Sequence, residues 1–155
     1  MDKPVEKWKE SPGNSCSDTV VALIACSSKK APTKREACKL YQGELFKKSV
    51  IYCKQRNIKY FILSAKYGLI SPDQIISPYN LSLNNMNKME KKNWYMKVNK
   101  QLYDEGIEEA IILAGKNYHE GLNIKKIMVL PSKGIGYQLH FLQNQIKPRG
   151  IFDEQ

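Results

Sequence analysis

Arginine, histidine and acidic residues are all scarce through most of this chain, and each shortage narrows what it can be. Arginine occurs only at positions 35, 56 and 149, so a bidentate reader of base edges is disfavoured and any anionic partner would be held mainly by lysine. His119 and His140 are the only histidines, and a lone histidine more often serves surface or structure than catalysis. Cys16, Cys26, Cys38 and Cys53 are widely spaced, with no Cys-x-x-Cys pair. That argues against a zinc site and gives no disulfide framework, so neither metal nor cofactor is expected. No apolar run approaches the length of a membrane span, and the first residues lack the apolar centre of a signal peptide. The expectation is a soluble, cytoplasmic protein with no membrane partner. Nucleotide fingerprints are incomplete as well. SKGIGYQ lacks the third glycine of a dinucleotide loop and follows the last strand, and GKNYHEG lacks the Ser or Thr that a phosphate loop needs after Gly-Lys.

What is present is lysine. The formal charge is +10 over 155 residues. Residues 19–103 hold sixteen Lys and Arg against four acids, Glu36, Glu44, Asp73 and Glu90. A bias of this size favours a polyanionic partner, nucleic acid above all. Oligomeric state is left open.

Residues 1–18 read as a flexible polar tail and 19–155 as a single α/β domain. TVVALIAC (19–26), KYFILSA (59–65), EAIILAG (109–115) and KIMVLP (126–131) are short β-prone runs. Thr33 and Glu36 have capping-box spacing, which predicts a helix from there to about Arg56. Asn87 and Glu90 open a second helix, with Trp94, Val98 and Leu102 on one face. Gly134 and Gly136 lead into a third helix carrying Leu139, Leu142 and Ile146. Residues 69–86, rich in Pro, Asn and Ser, read as an ordered loop. Alternating elements imply a three-layer sandwich, a mostly parallel sheet of about four strands with helices on both faces.

In such sheets ligands bind beyond the carboxyl ends of the strands. The four strand ends run into Cys26-Ser27-Ser28-Lys29-Lys30, Ser64-Ala65-Lys66-Tyr67-Gly68, Gly115-Lys116-Asn117-Tyr118 and Ser132-Lys133-Gly134-Ile135-Gly136. Each offers lysine and small residues, and parallel topology would gather them on one rim suited to phosphate or carboxylate.

The stretch ILSAKYGLISPDQIISPYNLSL resembles the signature of the YaaA-like proteins and their small single-domain relatives, through Ser64, Tyr67, Gly68, Leu69, Pro78, Tyr79 and Leu81. ACSSKK after the first strand, LYQGELF (40–46) and Gly134-x-Gly136 resemble the small relatives too. The resemblance implies an α/β fold related to that of uracil-DNA glycosylases and an association with DNA, in stress protection or base processing.

Cleaving a glycosidic bond within DNA requires flipping the nucleotide into a pocket. Rim lysines would hold flanking phosphates, while Tyr41, Tyr67 or Tyr79 could stack on the base. Positive charge building on the sugar calls for a carboxylate, and Glu44 and Asp73 are the candidates. Lys66 would neutralise a phosphate or, if buried near Lys29, attack the sugar as a free amine. Ser64 is expected to donate a hydrogen bond, Gly43 to permit close backbone approach, and Tyr118 and Asn80 to help bind the substrate. The leading expectation is a DNA glycosylase acting on a modified or damaged base. The alternatives are a non-catalytic DNA-binding protein and an N-glycosidase or base-transferring enzyme for free nucleotides.

Overall fold

A computed structural model describes residues 20–130 and 135–145. Its main sheet has five strands in the order β4-β3-β1-β6-β7: β1 (Val21–Ala25), β3 (Lys59–Ser64), β4 (Gly68–Ile70), β6 (Glu109–Leu113) and β7 (Lys125–Val129). β3, β1, β6 and β7 are parallel, and β4 folds back antiparallel onto β3 with Ser64 opposite Gly68. A short antiparallel ribbon joins β2 (Arg35–Glu36) to β5 (Ile75–Ile76).

The apolar strands are covered on both sides because successive side chains point to opposite faces. Ala22 and Ile24 of β1 and Tyr60 and Ile62 of β3 share one core with Phe46, Tyr52 and Cys53 of α2 (Glu44–Gln55) and Leu142 of α4 (Ile135–Gln145). Val21, Leu23, Phe61 and Leu63 pack on the other face against Trp94, Val98 and Leu102 of α3 (Lys88–Asp104). Each fully buried aliphatic or Phe side chain contributes about 1.5–3 kcal/mol. The three-layer α/β sandwich expected from the pattern is present, with one strand more than counted.

The departures have local causes. No continuous helix runs from Thr33 to Arg56. The Thr33 hydroxyl accepts from the Arg35 guanidinium at 2.6 Å instead of capping, and Glu36 carries ψ 142 with no side-chain cap bond. A single turn, α1 (Ala37–Leu40), ends at extended Tyr41, and α2 starts afresh after Gly43 at ψ 151. Most of β4 and all of β5 lie inside the stretch expected to be loop, since two or three residues are too few to show a period. Between β6 and β7 there is only a 3₁₀ turn, Lys116–Tyr118, in place of a crossover helix. The Asn87–Glu90 capping box forms, with reciprocal bonds of 2.8 and 2.9 Å. No described helix is long and apolar enough to cross a membrane. Residues 1–18, Lys133, Gly134 and Ile146 fall outside the described residues.

Candidate functional site

From β1 the chain crosses to β3 on one side, and it later returns to β6 on the other. The carboxyl ends of β1 and β6 therefore flank the point where strand order reverses, the position at which open α/β sheets bind ligands. A cleft of about 360 Å³ opens there. Cys26, Ser27, Ser28 and Lys29 form one wall, Gly43 to Phe46 a second, and Ser82, Asn84 and Tyr118 a third, with Leu113 and Ser49 also lining it.

Two backbone ties shape the mouth. The Gly43 N–H donates to Ser27 Oγ at 3.1 Å, and the Gln42 N–H donates to the Lys29 carbonyl at 2.8 Å. The Ser27 hydroxyl in turn donates to the Lys29 carbonyl at 2.9 Å, so it is committed to holding its own loop. A Cβ on residue 43 would stand 2.7 Å from the Ser27 Cβ. The close approach expected of Gly43 is thus to the loop after β1. No side chain caps α2, whose first turn faces the cleft with Glu44 as its first residue. Glu44 is exposed at the mouth beside exposed Ser28 and Lys29. It is the one carboxylate among the described lining residues, and it stands at the end of the helix where negative charge is stabilising. Tyr118 closes the far wall, its hydroxyl 3.5 Å from Cys26 Sγ and its ring edge-on to Trp94.

The second cluster lies under the neighbouring corner, where Cys26 N–H donates to the Leu63 carbonyl at 3.0 Å. Ser64 is fully buried. Its hydroxyl accepts from the Lys66 and Tyr67 amides at 3.2 and 2.9 Å and pairs with the Tyr79 hydroxyl at 2.8 Å. Tyr79 is also 2.8 Å from the Tyr41 hydroxyl, and Tyr67 packs edge-on against it. The Trp94 indole donates to the Ser64 carbonyl at 2.9 Å. Gly68 adopts φ +79 to close the β3–β4 turn, a conformation open to glycine at little cost. The Ser-x-x-Tyr-Gly sequence and the distant Tyr79 therefore form a turn and its bolt.

The remaining sequence candidates are placed as follows. Tyr41 and Tyr79 are tied up in this network, and neither they nor Tyr67 line the cleft, so the aromatic wall belongs to Tyr118 instead. Lys66 is exposed with Nζ 5.3 Å from the Tyr67 ring; the burial that a nucleophilic amine requires is not met. Lys30 is the lysine drawn in, its Nζ 4.4 Å from the Tyr79 ring centre, and burial lowers its pKa. Asp73 is exposed, accepts from Ser71 Oγ at 2.8 Å and lies outside the cleft. Asn80 is exposed, and Gly115 precedes the 3₁₀ turn with open space where a Cβ would be. Gly136 lies in the first turn of α4. Reasoning from sequence missed Ser49, Ser82, Asn84 and Phe46; Phe46 stood inside the quoted LYQGELF motif, but the others carry no local signal. Among the described residues no three His, Cys, Asp or Glu are grouped to hold a metal.

A family model described as "Family of unknown function (DUF6884)" matches residues 21–144, from the start of β1 into α4. The chain belongs to that family. No curated protein matches it. As the matched span includes every wall of the cleft, this member of DUF6884 carries the cleft within the family domain.

The hydroxyl cluster has a pH signature. Burial, opposed by the hydrogen bonds from Ser64 and Tyr79, pushes Tyr41 from the ordinary 10.0 up to about 12, and burial raises Tyr79 and Tyr118 as well. The folded state then holds protons that the unfolded state releases above pH 10, so stability falls as pH rises from about 10 toward 12. Thermal scans across that range should show a declining Tm, and a shallower decline in Tyr41→Phe, which has one buried phenol fewer; an equally steep decline in that variant would contradict the link to Tyr41.

Proposed function

We propose that this chain is a nucleic-acid-directed enzyme that hydrolyses the N-glycosidic bond of a modified or damaged base in DNA. The observation that carries this reading is Glu44: the lone carboxylate of the described cleft lining, at its mouth, beside Ser28 and Lys29. Lysine and loop amides there suit a phosphate, and the carboxylate suits the positive charge that develops on the sugar. Water oxygen bonds to the anomeric carbon, the bond to the base breaks with its electron pair leaving on the base, and Glu44 takes the water's proton. The cleft volume of about 360 Å³ accepts one flipped nucleotide and not a duplex. The likeness to the YaaA-like signature and the lysine-rich surface both support DNA as the carrier of that nucleotide.

Incubation with single- and double-stranded DNA carrying varied bases should release a free base, read by mass spectrometry, and leave abasic sites that alkali cleaves. Binding without release from any substrate would replace this reading with a non-catalytic DNA-binding module, whose affinity should fall steeply with salt. The small volume also favours a second reading, an N-glycosidase for free nucleotides. That enzyme would be thermally stabilised by a mononucleotide and would act without a polymer.

A further inference from the structure

Ser49 is fully buried on α2, and its Oγ has no hydrogen-bond partner. A buried hydroxyl without a partner is costly, and in folded proteins such an atom calls for an explanation. It lines the same cleft, five residues along the helix from Glu44. The other buried residues lining the cleft are Phe46, at 2% exposure, and Leu113, at 1%. Exposed Ser28, Lys29, Glu44 and Asn84 lie at the opening. Polarity is therefore graded, from charged and hydroxylic outside to apolar inside, and the unpartnered hydroxyl lies behind that inner wall, where a ligand meets it by displacing a side chain.

That gradient orients a ligand. A sugar phosphate pushed inward would strip water from its hydroxyls and charges against Phe46 and Leu113, with one partner to offer in return. A planar heteroaromatic ring has apolar faces for those walls and a polar edge for the hydroxyl. The geometry points to Ser49 as the residue that reads the edge of the nucleobase, a specificity contact made at the inner end of the cleft while the phosphate stays at the mouth. The inference rests on the nucleotide reading above and adds the substrate feature it selects: a base bearing a hydrogen-bonding atom on the edge remote from its glycosidic bond. The hydroxyl both donates and accepts, so it serves a carbonyl or a ring nitrogen equally and rejects a ring that offers neither.

The test is calorimetric titration of the full chain with the four common DNA nucleobases, their nucleoside 5′-monophosphates and indole, whose benzo edge lacks the polar atoms. Wild type should bind at least one base or nucleotide. Ser49→Ala should weaken that ligand about tenfold or more, the loss of one well-made hydrogen bond, and should bind indole no more weakly than wild type does. The apo Tm of Ser49→Ala should equal or exceed that of wild type, since an unpaired buried hydroxyl has been removed. Ser49→Cys, slightly larger and with only a weak donor, should fall between the two in affinity. Unchanged affinity of either variant for the best ligand, or a lowered apo Tm in Ser49→Ala, overturns the base-reading role. Failure of wild type to bind any base or nucleotide overturns the nucleotide reading itself, and this inference with it.

Discussion

Glu44→Gln is expected to slow base release by about 10²–10⁴-fold, the range a positioned acid–base group contributes. Gln keeps the shape of the side chain and cannot take up the water's proton. The same carboxylate has a second use, as negative charge in the first turn of α2, and that is worth only about 0.3–1 kcal/mol. For a domain of this size 1 kcal/mol is about 2–4 °C in Tm. The two roles therefore separate by magnitude. A catalytic carboxylate gives a rate loss of orders of magnitude with a Tm change of a few degrees; a purely helix-stabilising one gives the same small Tm change at an unaltered rate. Single-turnover release at saturating DNA, beside a melting curve, distinguishes them, and an unaltered rate removes Glu44 from the mechanism.

Ser64→Ala is expected to be the most damaging single change to stability in the β3–β4 corner. One hydroxyl there accepts two backbone amides and meets Tyr79. Its removal leaves two part-buried amides without their acceptor and the Tyr79 hydroxyl with one partner fewer, at about 1–3 kcal/mol for each group left unpaired away from water. A loss of about 3 kcal/mol corresponds to roughly 6–12 °C in Tm. Tyr79→Phe removes a hydroxyl too, but the two amides keep Ser64 as their acceptor, so its cost should be nearer about 1 kcal/mol. Denaturant melts of the two variants check the order. Equal losses would mean that the tyrosine, and not the turn, is what Ser64 serves.

The parts of this architecture visible in the sequence were those with a repeating physical pattern. Four apolar strands and the Asn87–Glu90 helix followed from burial on both faces and from a capping pair, and both are local properties. The break between Tyr41 and Gly43 was not visible, because the spacing of Ala37, Leu40, Tyr41, Leu45 and Cys53 suits one helix as well as two. Thr33 offered a cap that Arg35 took. At the site, Ser27, Ser28, Lys29 and Tyr118 were nominated from strand-end position and Glu44 as one of few carboxylates, and they line one cleft. Ser64 and Tyr79 were nominated for chemistry and turn out to hold a turn, which a motif cannot reveal since hydrogen bonding across fifteen residues depends on the fold. Ser49 was invisible for the opposite reason: a serine within an amphipathic helix has no distinguishing neighbours, and only the lack of a partner marks it.

The hydrogen bonds that join Gly43 to Ser27 and Gln42 to Lys29 also bear on how fast a guest could come and go. Fixing a residue's backbone costs about 1–2 kcal/mol, and in this mouth that cost is met when the protein folds. Docking then proceeds onto a standing framework, with residence time governed by the contacts themselves and no loop closure to wait for.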